Sequence, residues 1–416
     1  MKIMIIGSGG REHALAYTLA KSPGTSTVYV SPGNPGIGQE PKCHNLPADN
    51  EAELIRFALE ERIDLIVIGP EGPLVDGLAD RFRAAGLSVF GPGAAETMLE
   101  GSKSFAKAFM QRYGIATARY ETFSSYDAAA ACLKANTAYP VVIKASGLCA
   151  GKGVVIAENL SEGLEALSAI MLDKVFQDAG DTVVIEEFLQ GKETSILSIF
   201  DGEKILPLAS AMDHKKIFDG EMGPNTGGMG TISPSPHFTP EAEADFLENI
   251  LNPTLQGMSA EGFTDPACIF FGLMITQSGV RLLEYNMRFG DPETQVVLMR
   301  LETDLAELLQ AAAHGRLPNE PLRFNEQTAL CVIGAAPGYP GPYQTGIPLT
   351  FPPEAGIKVF FAGIKDDGGE LKSSGGRIFG ITAMGGDPEA VRAAIAAYFK
   401  AHIPPAIVYR KDIGRI

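Results

Sequence analysis

The sequence predicts a chain of mixed class, an α/β part followed by an α+β part and a small β-rich end, and three observations predict it. Over residues 1–101, short apolar runs alternate with amphipathic segments, the pattern of a parallel, doubly wound sheet. Strand-like runs and helices then follow in mixed order over residues 102–325. From residue 326 short strands are separated by Gly- and Pro-rich turns. At 416 residues the chain exceeds what one hydrophobic core usually serves, so two to four domains are expected.

In the first part, residues 2–6, 27–30 and 65–68 read as strands, and 14–21, 52–62 and 75–85 as the helices between them. Loops at 69–73 and 91–93 follow strands directly, and ligands of such sheets bind at the carboxyl ends of strands. Both are therefore candidate site walls, although a Gly-Pro pair also serves simply to turn a chain. The second part opens with a helix over 103–113 and carries strands at 141–144, 154–157, 183–188, 194–200, 268–276 and 280–286. Residues 213–230 read as a long glycine-rich connection, and structureless loops of that length are usually lids or binding loops. The last part holds strands at 329–334, 358–361 and 377–382 and a closing helix over 388–400.

Lys plus Arg total 34 against 50 Asp plus Glu, a formal charge of -16 that repels a nucleic-acid backbone. Phosphorylated small molecules stay open to it, because glycine loops, helix N-termini, a few lysines and metal ions supply local positive potential. Cys43, Cys132, Cys149, Cys268 and Cys331 are scattered and never spaced as CxxC, so neither a zinc site nor a disulfide framework is expected, and a reducing compartment fits. The first apolar run is too short for a signal peptide and no stretch is long enough to cross a bilayer, so a cytoplasmic protein without membrane or nucleic-acid partners is expected.

Four segments carry chemistry. In Gly7-Ser8-Gly9-Gly10-Arg11-Glu12 a strand enters a glycine cluster and leaves into a helix, which points backbone N–H groups at an anion. A dinucleotide fingerprint needs glycine where Glu12 stands, so nicotinamide cofactors are not expected. A phosphate-bearing sugar, with Arg11 as an added cation, and a purely structural turn both remain open. Next, residues 141–154 place Lys144 at the end of an apolar strand and Lys152 between Gly151 and Gly153, the close approach and positive charge that a polyphosphate needs. Ser or Thr does not follow Lys152, so this is not a Walker loop. A plain hairpin would explain the glycines but not Lys144. Third, Glu186 and Glu187 end a strand and Glu193 follows a bend, where carboxylates can accept from ribose hydroxyls or simply be solvated. Last, alternation sets Glu284 and Asn286 on one strand face with Leu282, and these hard oxygen donors suit Mg²⁺ bound through phosphates, or else mark an exposed polar strand end. His214 stands alone and is given no role.

Taken in order, GSGGREHALA, VSPGNPG, IGPEGPLVDGL, LEGSKSFAK, IKASGLCAGKGV, IEEFLQGKE, DHKKIFDGEMGPNTGGMG, EYNMRFGDPETQ, GYPGPY, SSGGRIFGITA and YRKDIG resemble the ATP-grasp superfamily, and within it the glycinamide ribonucleotide synthetase family. The match spans nearly the whole chain, and GPNTGGMG with RFGDPETQ is far more specific than any single glycine pattern.

The resemblance implies an N-terminal α/β domain over 1–101, a two-lobed ATP-grasp unit over 102–325 with a mobile lid lobe at about 120–192, and a C-terminal β-rich domain over 326–416. It implies that Lys103, Lys144 and Lys152, with Gly151 and Gly153, meet the ATP phosphates. Glu186, Glu187, Phe188 and Leu189 would frame the adenine, Glu193 would hold the ribose, and Glu284 and Asn286 would ligate Mg²⁺ or Mn²⁺. Gly9, Gly10 and Arg11 would face 5-phosphoribosylamine, with Asp213 and Arg288 as catalytic residues orienting the amine and the glycine carboxylate beside Pro292. The implied reaction is ATP-dependent ligation of glycine to phosphoribosylamine through an acyl phosphate, in purine biosynthesis. Two departures stand out. The family's loop commonly reads KADGLAAGKG where this chain has Ser146 and Cys149, which removes any carboxylate at position 146. The strand beside Glu284 also offers no carboxylate, so Glu284 would have to bridge two ions. The nearest rival is an ATP-grasp ligase or carboxylase for another carboxylate or for bicarbonate.

Overall fold

Five parallel strands open the chain in the order Cys43–Asn45, Thr27–Pro32, Lys2–Gly7, Leu65–Ile68 and Val89–Phe90. The computed structural model describes residues 1–48, 50–149 and 152–415. Ile3, Met4 and Ile5 of the central strand are fully buried, as expected of a parallel strand covered on both faces. Strand order reverses about Lys2–Gly7, so its carboxyl end is the switch point where such sheets open a ligand crevice. There Gly7 leads into the helix Gly10–Lys21. The helix read over 75–85 is in fact two, Glu71–Val75 and Leu78–Ala84, because Gly77 takes a left-handed φ of 74° that ends one and caps the next.

Residues 120–187 carry a four-stranded antiparallel sheet ordered Tyr120–Phe123, Val183–Glu187, Val141–Ala145 and Val154–Ala157. The helices Tyr126–Ala135 and Leu160–Leu167 close its own core around Leu133, Ile143, Leu167 and Val183.

An eight-stranded antiparallel sheet forms the body. Its order is Gly279–Asn286, Ala267–Thr276, Lys192–Phe200, Ile205–Asp213, Gly230–Ser233, Thr328–Ala335, Arg377–Gly385 and Ile357–Phe361. Gly230–Ser233 pairs with Ile205–Asp213 on one side and Thr328–Ala335 on the other, so the sheet runs unbroken past residue 326. The largest core likewise draws Ile3 and Val30, Leu197 and Val296, and Ile333 from all three parts of the chain. The helix Glu293–Arg300, buried along nearly its whole length, packs between them.

Residues 213–230 are not structureless as expected. Lys216–Phe218 and Met222–Asn225 form a hairpin, reversed at Gly220 and Glu221 with φ of 70° and 56° and pinned inward by Ile217, which is 2% exposed. Buried Arg410 holds it from outside, donating to the Lys216 carbonyl at 3.1 Å and to Glu221 and Asp412. Among the described residues, no helix is long and apolar enough to cross a membrane.

Candidate active site

Lys144 ends its strand almost buried, and its Nζ lies 2.9 Å from Glu186 Oε1. The other oxygen of Glu186 lies 3.1 Å from Nζ of Lys107, which donates to Thr117 Oγ1 at 2.7 Å. Glu186 is thus a buried bridge between two lysines, and its backbone is paired with Tyr120 on one side and Val142 on the other. Burial pushes the Lys107 ammonium down to about 8, against the pull of Glu186. Sequence reasoning passed over Lys107, although it stands one helical turn after Lys103 and so on the same face.

Glu187 turns the other way, accepting from the Arg119 backbone at 2.9 Å and from its Nε at 2.7 Å. Phe188 and Leu189 follow it, half-buried, just past the strand end. Lys103 begins the helix Lys103–Arg112 and its Nζ donates to the Gly147 carbonyl at 3.1 Å. Ser146 takes a hydrogen bond from the Ser104 amide at 3.1 Å and shares one between hydroxyls at 2.9 Å, so it ties the end of the strand Val141–Ala145 to that helix. Lys152 is exposed, and its amide donates to the Cys149 carbonyl at 2.9 Å. A side chain at Gly153 would strike Cys149, 2.7 Å from its Sγ. Gly151 lies outside the described residues.

The expected face of Glu284 needs correction. Gly272 pairs with Glu284 and Leu273 with Leu282, so Leu283 is an extra residue that makes a bulge. The bulge flips the alternation: Leu282 joins Tyr285 in the core, and Glu284 and Asn286 share the opposite face without it. Burial would raise the Glu284 carboxyl, but Lys215, Lys144, Lys103 and Arg288 together hold it below the ordinary carboxylate range. Asn286 Oδ1 accepts from Arg288 Nη2 at 3.1 Å. The same guanidinium lies 3.2 Å from Glu100 and 3.5 Å from Glu71. Glu71 stands in one of the two predicted site walls; Glu100 gave no sequence signal. Among the described residues, no group of three or more His, Cys, Asp or Glu side chains could hold a metal by itself.

Asp213 ends its strand facing Gly228, where an added Cβ would lie 2.8 Å from Asp213 Oδ1 and 2.5 Å from Pro292 Cδ. Asp213, Gly228 and Pro292 therefore meet at one point. Burial, then the charge of Glu293, pushes the Asp213 carboxyl well up. Glu193 and Lys215 pair at 3.3 Å, and Glu193 is the main reason that the Lys215 ammonium is held up. His214 is buried with Nδ1 3.1 Å from the Gly230 carbonyl, a structural placement.

At the N-terminal turn Glu12 folds back to accept from the Gly9 amide at 2.6 Å. It fills the space beneath Gly7 and Gly69: a Cβ on Gly7 would lie 2.6 Å from Glu12 Cδ, and one on Gly69 would overlap its carboxylate. The third glycine of a dinucleotide fingerprint is thus replaced by a buried carboxylate. Arg11 points inward, donating to Glu12 at 2.6 Å and to the Phe289 carbonyl at 3.1 Å. It does not line the cavity of about 320 Å³ above Gly9 and Gly10, where the cation is Arg377 from the C-terminal part, beside Asp291, Gln295 and Tyr339.

Family models match the chain in three consecutive pieces: the phosphoribosylglycinamide synthetase N domain over 1–100, its ATP-grasp (A) domain over 101–294 and its C domain over 329–416. A phosphoribosylamine–glycine ligase of Clostridium acetobutylicum is 48% identical over the full length of both chains. One of Escherichia coli K12 is 45% identical, covering 100% of this chain and 98% of the relative. The crystal structure of phosphoribosylamine–glycine ligase from Thermotoga maritima superposes over all of both chains with a TM-score of 0.87 at 33% identity. The biotin carboxylase domain of Hydrogenobacter thermophilus 2-oxoglutarate carboxylase shares the fold, with a TM-score of 0.75 at 17% identity over 98% of this chain and 91% of that one. Matched by family models over residues 1–294 and 329–416 and by full-length relatives, the chain belongs to the phosphoribosylglycinamide synthetase family.

Proposed function

We propose that this chain ligates glycine to 5-phosphoribosylamine at the expense of ATP, giving glycinamide ribonucleotide, ADP and phosphate, as a cytoplasmic enzyme of purine biosynthesis. The observation that carries this reading is the position of Glu284, a half-buried carboxylate in the combined field of Lys215, Lys144, Lys103 and Arg288. Cations around an ionised acid at a strand end are what phosphoryl transfer requires. Lys103, Lys144 and Lys152, with Gly151 and Gly153, hold the ATP phosphates. Glu187, Phe188 and Leu189 supply the adenine edge and Glu193 the ribose contact, while Glu186 acts through Lys144 as a positioning residue.

A divalent cation fits Glu284 and Asn286, since both are hard oxygen donors, Glu284 is held ionised, and with only these two protein ligands the remaining positions fall to phosphate and water. When bound, Mg²⁺ or Mn²⁺ would neutralise charge on the transferring phosphate. Arg288, fixed between Glu71 and Glu100, orients the glycine carboxylate. An oxygen of that carboxylate attacks the γ-phosphorus and ADP leaves. The amine of phosphoribosylamine, placed by Gly9, Gly10, Pro292 and Asp213, then attacks the acyl carbon and expels phosphate. Asp213, whose carboxyl is pushed up, takes the proton the amine sheds. Closing the lid lobe at about 120–192 excludes water from the acyl phosphate.

The test is phosphate release from ATP with freshly generated phosphoribosylamine, with and without glycine, for the wild type and Glu284→Ala. Glycine-dependent release lost in the variant is expected; release indifferent to glycine would overturn the reading.

A further inference from the structure

The C-terminal helix Pro388–His402 buries one of its faces and leaves another open. Val391, Ile395 and Tyr398 pack into the core of the C-terminal part. A second face, Glu389, Arg392, Ala393, Ala396, Lys400 and Ile403, follows i, i+3/i+4 spacing along the whole helix and lines a groove of about 840 Å³. The stacked rings of Phe399 and Tyr409, with centroids 3.9 Å apart, complete the lining together with Pro404, Ile407 and Val408. None of these residues belongs to the candidate active site.

The charges around the groove are one-sided. Glu389 is neutralised by Arg392, its ion-pair partner on the same helix. Lys400, Lys411 and Arg415 also line the groove, are exposed, and among the described residues pair with no carboxylate. Three free cations around an apolar groove stand out on a chain of charge -16. An occupant with acidic groups flanking an apolar stripe complements both features. The overall charge does not forbid it, because beyond about 8 Å at physiological salt it is screened and the occupant meets the local rim. Shape narrows the choice further. From Glu389 to Ile403 the helix advances about 21 Å, longer than a compact metabolite. The exposed Ala393 and Ala396 leave room for a second helix to approach closely. A second copy paired about a two-fold axis would set these cations against their own counterparts.

We propose that this groove docks an acidic amphipathic helix of another protein, with its apolar stripe against Ala393, Ala396 and Tyr409 and its carboxylates meeting Lys400, Lys411 and Arg415. The test starts with selection from a displayed random peptide library on the full-length protein, with Ala396→Arg as the counter-selecting bait. The selected sequences are expected to set apolar residues at helical spacing among Asp and Glu. A synthetic peptide of the most frequent sequence is then titrated by fluorescence anisotropy, and should bind at least about tenfold more weakly to the double variant Lys400→Glu/Lys411→Glu. Exchanging the peptide's acids for lysine should restore binding to that variant. Glycine-dependent phosphate release unchanged in both variants shows that they fold. Selected peptides that lack acids, or acidic ones that bind the double variant as tightly as wild type, overturn the proposal. So does a selection that yields no peptide able to tell wild type from Ala396→Arg. A wild type that sediments as a dimer, with Ala396→Arg a monomer, overturns it in favour of a second copy as the occupant.

Discussion

Replacing Glu186 by glutamine tests whether this carboxylate exists to keep two lysines buried. Lys107 and Lys144 lie 3.1 and 2.9 Å from its two oxygens, and the side chains of all three residues are almost inaccessible. Bringing the Lys107 ammonium from 10.5 to about 8 costs roughly 3 kcal/mol at neutral pH, since each pKa unit is about 1.4 kcal/mol. The sign follows from proton binding. Between about pH 8 and 10.5 the unfolded chain holds a proton at Lys107 that the folded chain has lost, so this residue's contribution to stability rises with pH across that window and its penalty is fully present below it. Without Glu186 the ammonium falls further, and the variant should be less stable by about 3–5 kcal/mol at pH 7, as expected when one partner of a buried ion pair is removed. The gap to wild type should narrow as pH approaches 10, where Lys107 sheds its proton in both proteins. Urea denaturation at pH 7 and pH 10 measures it. A deficit that is equal at the two pH values, or a variant as stable as wild type at pH 7, refutes the argument.

Three further outcomes follow from other parts of the site. Gly69→Ala drives a methyl group into the Glu12 carboxylate and should destabilise by about 1–3 kcal/mol as overpacking, read as a lowered Tm. Asp213→Asn should raise Tm at pH 7 while lowering turnover. The raised carboxyl binds its proton more tightly when folded, so its contribution to stability falls as pH climbs from about 3.8 towards the raised value, and asparagine removes that penalty together with the proton acceptor; an unchanged Tm would count against the burial argument. Finally, kcat/KM for ATP should change little when ionic strength is raised if the buried, carboxylate-paired Lys144 and Arg288 dominate, and a steep fall would point instead to the exposed Lys152 or to long-range steering.

Strands that are continuous apolar runs were legible, whereas the short Cys43–Asn45 and Val89–Phe90 and the proline-containing Ile205–Asp213 were not read. Strands 65–68 and 154–157 stand where the runs placed them. What escaped has identifiable causes. Leu283 looks like any strand residue, so the bulge that sends Leu282 into the core leaves no mark in the pattern. The hairpin inside residues 213–230 is too short for periodicity to show. The helix Glu293–Arg300 is buried on all sides and has no polar face to reveal it. Among candidate site residues, Lys144 and Glu284 announced themselves as charges towards the ends of apolar strands, whereas the role of Arg288 came only from the resemblance. Glu100 and Gln295 lie on helices, where a charged or amide side chain is unremarkable until tertiary packing buries it. Arg377 did carry a signal, an arginine directly after Gly375 and Gly376 at the start of a strand, but only the sheet that joins the ends of the chain brings it to Gly9 and Gly10.

A chain of charge -16 whose substrates each carry an anionic group must gather its cations, and the pairing pattern shows how. Lys144 and Lys107 share Glu186, Arg288 lies between Glu71 and Glu100, Lys215 meets Glu193, and Arg377 meets Asp291. A buried unpaired cation would shed its proton or disorder the site, whereas a paired one keeps its charge and its place. On the proposed assignment, the cost is that a substrate anion meeting Lys144 or Arg288 shares that cation with a resident carboxylate, which weakens binding of the ground state. The benefit appears as negative charge builds on the transferring phosphate. Cations already fixed by their partners need no reorganisation to meet it, and fixed charge in a site closed to water acts more strongly on that developing charge than solvent could.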